Sequence, residues 1–224
     1  MKAKYKFEPH THTAESSACS GLPAKELVER YHEAGFRGLA ITDHMYSYLV
    51  TRLKNDWNKA IDHLLKGYKK AKRRGDELGM DIILGMELRF DHFNGDFLVY
   101  GIDEKFLRAN PFINRLSPRK FFKTYSNELL IIQAHPFRDY NEIASPNSFH
   151  GIEVYNSNPR HYNNNEDTMA FLATHPDLYP TSASDAHEAE DTALGWLELN
   201  RPVKDSLQFR DLIKEREYTL GKTV

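Results

Sequence analysis

The sequence has few of the features that mark secreted or membrane proteins. Its 224 residues include one cysteine, Cys19, so an internal disulfide cannot form and a reducing compartment is favoured. The mean hydropathy is −0.64, and no apolar run is long enough to span a bilayer. The N-terminal segment MKAKYKFEP also lacks the apolar stretch of a secretory signal. We therefore expect a cytoplasmic protein with no membrane partner.

An excess of positive charge is also missing. The formal net charge is −2 at pH 7, which gives no overall basic surface for nucleic acid. The basic segment KGYKKAKRRGDE, at 66–77, is interpreted as the solvated face of a helix, because a charge run alone is weak evidence for binding. This balance is compatible with a small phosphorylated substrate. The sequence does not indicate an oligomeric state.

Repeats, low-complexity tracts and flexible linkers are absent, so we predict a single domain over residues 1–224. Short apolar runs alternate with helical patterns, and these runs lack the polar alternation of half-exposed strands. The predicted strands cover 4–9, 38–42, 81–88, 97–101, 129–133, 151–155, 180–183 and 195–199. The predicted helices cover 23–34, 51–78, 118–126, 164–173 and 204–216.

The alternation of strands and helices predicts an α/β fold with parallel strands. A barrel fits better than an open sheet, because no glycine-rich phosphate loop follows the first strand. Five predicted strands carry metal-type side chains at or just past their C-terminal ends. In a barrel, active sites form at that rim. We therefore expect the functional site at the C-terminal rim of the strands.

Two pairs of side chains at i, i+2 spacing carry much of the functional prediction. His10 and His12, in FEPHTHT, follow the first predicted strand, and alternation along an extended chain points both side chains the same way. Asp185 and His187, in SASDAHE, have the same spacing after the strand at 180–183. Imidazoles that face a common point indicate a transition metal between them.

The remaining candidates have structural alternatives when each is taken alone. Asp43, next to His44, could be a helix cap. Glu87, in the apolar segment LGMEL, could pair with an arginine, and His135, after LLIIQA, could be a core histidine. Considered together, the imidazoles and carboxylates favour Mn, Zn or Fe, with two or three metals bound and no organic cofactor.

The order of these motifs resembles that of the PHP (polymerase and histidinol phosphatase) family. The matching segments are HTHT, ITDH, GMEL, QAHPFR, GIEVYN and SDAH, which extend from about residue 7 to residue 196. The resemblance implies a small, distorted (β/α)7 TIM-like barrel. It also implies two or three divalent metals and the hydrolysis of phosphate esters.

Residue roles follow from the resemblance by motif. It assigns four side chains to the first metal: His10, His12, Glu87 and Asp185. Glu87 would bridge to a second metal that is also held by His135. His44 and His187 would bind a third metal, with Asp43 as a supporting residue. Glu8 occupies a position that is usually aspartate in the family, which is a conservative change.

The sequence departs from the family pattern in two places. The family commonly has a further histidine as a second-metal ligand, where NGDFLVYGID places Asp96. Asp96 is the favoured replacement, and His92 is the alternative. Three-metal members also have a histidine or aspartate soon after the first histidine pair, where AESSACSG offers only Glu15, serines and Cys19. The centre could therefore hold only two metals.

These residues suggest a mechanism for phosphate ester hydrolysis, either of phosphomonoesters or of small phosphodiesters. A water held between two metals at Glu87 would become the attacking hydroxide. His44, His187 or Arg138 would bind the phosphate or protonate the leaving group. Two alternatives remain: a hydrolase or deacetylase acting on amides at the same centre, and a metal-binding accessory domain without catalysis.

Overall fold

The computed structural model describes residues 5–139 and 141–223, which form an α/β fold with two mixed β-sheets. The strands are β1 (Tyr5–Glu8), β2 (Gly38–Ile41), β3 (His44–Met45), β4 (Asp81–Leu84), β5 (Met86–Arg89), β6 (Asp96–Tyr100), β7 (Leu130–Gln133), β8 (Gly151–Asn156), β9 (Tyr179–Ala183), β10 (Gly195–Leu199) and β11 (Tyr218–Lys222). The helices are α1 (Ala24–Glu33), α2 (Ser47–Arg52), α3 (Trp57–Leu78), α4 (Glu104–Ala109), α5 (Pro118–Tyr125), α6 (Asn165–Thr174) and α7 (Ser206–Lys214).

The strands divide between a five-stranded and a six-stranded sheet. The first has the order β11-β10-β1-β2-β4, and the second has the order β3-β5-β6-β7-β8-β9. The prediction of purely parallel strands is wrong, because β1/β10, β10/β11, β5/β6 and β6/β7 are antiparallel. Between β5 and β6 the chain has only residues 90–95, which is too short for the crossover that parallel strands need.

The two sheets meet near the C-terminal ends of β1 and β2. Thr11, just beyond β1, forms a parallel bridge with Ala186, just beyond β9. On the other side, the Glu87 amide donates to the Thr42 carbonyl at 3.1 Å. Within the described part of the chain, the strands form two sheets joined by such contacts, whereas the prediction was one barrel.

Most predicted strands lie within a residue or two of their observed positions, although residue 4 of the first one lies outside the described residues. The segment predicted as one strand at 81–88 is divided into β4 and β5 at Gly85. A Cβ at Gly85 would lie 2.7 Å from the Thr42 side chain, so glycine allows the chain to pass close to the end of β2. The short β3 and the half-exposed β11 were not predicted from the sequence.

The helix predicted at 51–78 is wrong at its start, because the chain forms α2 and α3 with a turn between them. Lys54 and Asn55 have positive φ angles of 60° and 57°, which end the first helix. Asp56 then begins α3, and its side chain accepts a hydrogen bond from the Lys59 amide at 3.1 Å. The short helix α4, which begins after the cap residue Asp103, was also missed.

The helices cover the sheets with apolar stripes. Leu27, Val28 and Tyr31 of α1 are buried against α3, and Ile61 and Leu64 of α3 belong to the largest apolar cluster. No described helix is both long and apolar enough to cross a membrane. The buried polar side chains instead gather where the two sheets meet.

Candidate metal centre

The bridge between Thr11 and Ala186 brings the two i, i+2 pairs together. In an extended segment, the residues that flank a bridged residue point away from it, which turns His10 and His12 to one side. Asp185 has a positive φ of 54°, and its carboxylate is directed to the same side, where Oδ1 lies 3.3 Å from both ring nitrogens. The His187 ring lies 4.3 Å from that of His12. His10 and His12 therefore lie on the same side as Asp185 and His187. This arrangement explains how residues about 175 positions apart in the sequence converge at one point.

Four ligand atoms surround that point. His10 Nε2 lies 3.1 Å from His12 Nε2, and Asp185 Oδ1 lies 3.3 Å from each of them. Glu87 Oε2 lies 3.2 Å from His12 Nε2 and 3.6 Å from His10 Nε2. A tetrahedral ion with bonds of about 2.0–2.1 Å separates its ligand atoms by about 3.3–3.4 Å. The spacing of these four side chains therefore fits a shared metal ion.

The hydrogen bonds around the four atoms are consistent with this fit. Asp185 Oδ1 is buried and has no hydrogen-bond partner among the described residues. At a separation of 3.1 Å, the two imidazole nitrogens need a positive charge between them, either a shared proton in the metal-free protein or a metal ion. Buried carboxylates are usually paired or metal-bound, so the donor set has the composition and spacing of a cation site.

Glu87 reaches neighbours on two sides through its two oxygens. Oε2 faces His12 and also lies 2.9 Å from His44 Nδ1, whereas Oε1 lies 3.0 Å from His135 Nε2. The side chain is only 1% exposed. Burial favours the neutral acid, but the cationic forms of His44 and His10 outweigh it and hold the pKa of Glu87 well below its usual range. Glu87 therefore has the geometry of a bridging carboxylate.

A third group of imidazoles lies on the open side of the cluster. His12, His44 and His187 each have a ring nitrogen within 4.8 Å of the others, and the His12 ring centroid is 4.4 Å from that of His44. His44 is the most exposed of these, at 23% of its side chain. Burial and then the charge of His12 lower the pKa of His187 to about 3, so His187 is neutral when no metal is bound.

The structure brings Asp96 into the cluster and leaves His92 outside it. Asp96 has a carboxylate oxygen within 4.8 Å of ligand atoms of Glu87 and His135. Both Asp96 oxygens, however, also accept hydrogen bonds from the guanidinium of Arg89. His92 belongs to none of the candidate groups found among the described residues, and it lines a neighbouring surface cavity.

Glu153, on β8, is the main site residue that the sequence analysis missed. Its Oε1 accepts a hydrogen bond from His10 Nδ1 at 2.9 Å, which leaves His10 Nε2 to face the cluster. Its Oε2 accepts from the His135 amide at 3.0 Å and from the Asn156 side chain at 2.9 Å. A glutamate inside the apolar strand GIEVY is the same pattern that drew attention to Glu87, so the sequence did contain an indication.

Asp43 supports His12 through a hydroxyl group. It accepts hydrogen bonds from the Thr13 amide at 2.8 Å, the Thr13 hydroxyl at 2.7 Å and the Ser17 hydroxyl at 2.6 Å. Ser17 Oγ in turn lies 3.4 Å from His12 Nδ1. Asp43 does not cap a helix, since α2 begins after Tyr46. Asp43 therefore reaches His12 through Ser17, and the supporting role that the family resemblance implies stays a prediction.

Arg138 and Glu8 lie around the cluster and form hydrogen bonds with its residues. Arg138 donates to Asp185 Oδ2 at 2.7 Å, to Asn156 Oδ1 at 2.6 Å and to Asn163 Oδ1 at 2.8 Å. Glu8 is buried and accepts hydrogen bonds from backbone amides and a tyrosine hydroxyl. Burial raises the pKa of Glu8 to about 8, and it reaches no candidate metal group of the described residues.

The chain belongs to the PHP domain family, whose model matches residues 8–199. This match confirms the family predicted from the motifs. The comparison with curated proteins gave no match. The family assignment therefore rests on the domain model and is accompanied by the structural similarities.

Three solved structures share the fold at low sequence identity. A two-domain protein from Bacteroides vulgatus, described as containing a predicted PHP-like metal-dependent phosphoesterase, is 17% identical with a TM-score of 0.68; the match covers 98% of this chain and 65% of that one. PsfC from Pseudomonas syringae is 16% identical with a TM-score of 0.66, with coverage of 99% and 92%. An amidohydrolase from Chromobacterium violaceum, with bound sulfate and no metal, is 15% identical with a TM-score of 0.56, with coverage of 95% and 97%.

Proposed function

We propose that this chain is a metal-dependent hydrolase that cleaves phosphate esters, either phosphomonoesters or small phosphodiesters. The observation that carries the proposal is the convergence of His10 Nε2, His12 Nε2 and the unpaired Asp185 Oδ1 at separations of 3.1–3.3 Å. Membership of the PHP family and the similarity to a PHP-like phosphoesterase give this centre its proposed reaction.

The proposed ligands divide into three groups around one carboxylate. The first metal would be bound by four side chains: His10, His12, Glu87 and Asp185. Glu87 and His135 would bind the second, with Asp96 as a candidate third donor. His44 and His187 would bind a third ion. We also propose that the two sheets together form the distorted (β/α)7 barrel of the family, with this centre at its C-terminal rim.

The protein's own groups would bind and orient the ester. Divalent metals at such a centre lower the pKa of water and neutralise charge that develops on phosphoryl oxygens. Arg138 is held by three acceptors, so its guanidinium is oriented before the substrate arrives and can bind a phosphate oxygen. His44, which is partly exposed beside Glu87, either binds the third ion or donates a proton to the leaving oxygen.

Amide hydrolysis is the second candidate, because one structural neighbour is named an amidohydrolase. A dinuclear centre supports both reactions. The arginine fixed on Asp185 favours the phosphate ester, since guanidinium groups match the geometry of phosphate oxygens. A binding domain without turnover would keep the metals and hydrolyse neither class of substrate.

The test combines metal analysis with a substrate screen. We expect two or three Mn, Fe or Zn ions per chain and turnover of p-nitrophenyl phosphate or its bis ester, but not of an acetylated amine. Glu87→Gln should lose metal and turnover together, because the bridging carboxylate is removed. Glu26→Gln, a change at an exposed carboxylate paired with Arg30, is the matched control and should behave like the parent chain. A metal-free parent chain after reconstitution, or amide turnover alone, contradicts the proposal.

A further inference from the structure

Arg89 lies beside the centre in a position that the mechanism has not used. It follows Glu87 by two residues on β5, so both side chains point to the same side of the strand. Asp96 lies directly opposite Arg89 on the antiparallel neighbour β6. The strand register therefore places an arginine and its carboxylate partner one step outward from the bridging glutamate.

The contact between Arg89 and Asp96 uses only one edge of the guanidinium. Arg89 Nε donates to Asp96 Oδ1 at 2.7 Å, and Nη2 donates to Oδ2. Asp96 is 2% exposed, whereas the Arg89 side chain is 46% exposed. A guanidinium has five N–H donors, and the Nη1 edge takes no part in this two-bond contact. Asp96 thus fixes the orientation of a cation that keeps donors for another anion.

A cavity of about 230 Å³ adjoins this arginine and the open side of the metal centre. Its lining includes Arg89, Asp96, His44 and Tyr46. Pockets for drug-sized ligands are roughly 300–1,000 Å³, so this smaller cavity suits a compact group. With His44 and Arg89 as its basic side chains, the group that matches it best is a phosphate.

We propose that Arg89 is a phosphate-binding residue and that Asp96 holds it in place. This role of Asp96 replaces the candidate role as third donor to the second metal that was named above. The inference rests on the proposed phosphoesterase function and identifies where its substrate's phosphoryl group binds. The bidentate contact with the carboxylate already restricts the rotation of the arginine side chain. Less conformational entropy is therefore lost when phosphate binds to it. The second metal would then have only Glu87 and His135 as protein ligands.

The contrasting interpretation treats the pair as a surface salt bridge. In that case the contact between Arg89 and Asp96 contributes only to the stability of the fold. Under that interpretation, removing Arg89 would leave phosphate binding unchanged. The two interpretations therefore differ in a binding constant that can be measured without turnover.

The experiment is calorimetric titration of the metal-loaded chain with inorganic phosphate. Arg89→Gln should raise the dissociation constant roughly tenfold or more, because hydrogen bonds to charged groups contribute about 1.5–3 kcal/mol. The dissociation constant of Arg89→Lys should lie between those of the parent chain and Arg89→Gln, because lysine keeps the positive charge but lacks the paired N–H groups of a guanidinium. Asp96→Asn should weaken phosphate binding several-fold while the number of metals per chain stays the same. Melting curves check that each variant is folded.

Arg108→Gln is the matched control, because Arg108 also pairs with carboxylates but lies on α4, away from the cavity. It should leave the phosphate constant unchanged. Equal phosphate affinity in Arg89→Gln and the parent chain overturns the proposal, as does loss of a metal in Asp96→Asn. A failure to bind phosphate at all overturns it too. Phosphate binding that depends on Arg89, combined with no turnover of any ester, would instead count against the proposed reaction alone.

Discussion

Gly67, in the middle of α3, packs closely against Thr13 and Asp43, which lie beside the candidate metal centre. A Cβ at this position would lie 1.9 Å from Thr13 Oγ1 and 2.7 Å from Asp43 Oδ2. Both partners are at most 1% exposed and hydrogen-bonded to each other at 2.7 Å. Gly67→Ala therefore forces α3 outward or breaks the contact between Thr13 and Asp43.

The expected change in the free energy of unfolding combines one stabilising contribution with two destabilising ones. In an ordinary helix interior, replacing glycine by alanine stabilises the fold by about 1 kcal/mol. Overpacking a core costs about 1–3 kcal/mol, and loss of a hydrogen bond to a charged group costs about 1.5–3 kcal/mol. The free energy of unfolding of Gly67→Ala should consequently fall by roughly 1.5–5 kcal/mol.

Urea denaturation of the metal-free protein measures this change without interference from bound ions. Thr13→Ala removes the closest atom that the new methyl group meets, so it serves as the second arm of a double-mutant cycle. The cost of Gly67→Ala should be smaller in the Thr13→Ala background than in the parent chain. A Gly67→Ala variant that is as stable as the parent, or more stable, would refute the close contact.

Three further predictions concern single side chains. Glu153→Gln should weaken metal binding about 10- to 100-fold in a chelator competition, because the carboxylate that orients His10 is lost; unchanged affinity would argue against that role. Burial, and then a nearby lysine, lower the pKa of His150 from 6.5 to about 4, and the neutral ring accepts a hydrogen bond from the Ile131 amide. Stability should be complete above pH 6.5 and should fall by about 1–2 kcal/mol, after allowing for partial exposure, as the pH drops to about 4. Because His187 also loses stability as the pH falls below 6.5, urea curves of His150→Asn should show a decline that is smaller by this amount, and an equal decline in both proteins would contradict the contribution of His150. Asp56→Ala, at the start of α3, should lower the midpoint of thermal denaturation because the Lys59 amide loses its acceptor, and an unchanged midpoint would contradict a capping role.

The sequence predicted which polar side chains lie together better than it predicted how the strands are connected. Alternation along an extended chain is enough to orient His10 with His12, since it depends only on neighbouring residues. Asp185 and His187 also lie together, but Asp185 has a positive φ of 54°, so extended-chain alternation does not explain their orientation. The structure does bring these pairs together with Glu87 and His135. Whether each of them binds metal stays a prediction.

The parts that could not be predicted depend on contacts between distant strands. The pairing of Arg89 with Asp96 follows from the register of β5 on β6, which no local pattern reveals. The break between α2 and α3 is different, because Asn55 and Asp56 are residues that favour turns and caps. The prediction of a single helix over 51–78 followed the apolar periodicity and gave these two residues too little weight.

A common arrangement of the ligand side chains links the fold to the proposed chemistry. His10 binds Glu153 through Nδ1 and turns Nε2 inward, and Asp185 binds Arg138 through Oδ2 and turns Oδ1 inward. Each side chain thus has one polar atom fixed by a neighbour and one directed at the same point. Because the fixing atoms come from different strands and loops, the inward atoms stay about 3 Å apart only when the whole fold is in place. This dependence is why changes at supporting residues should reduce metal affinity even where the ligands themselves are intact.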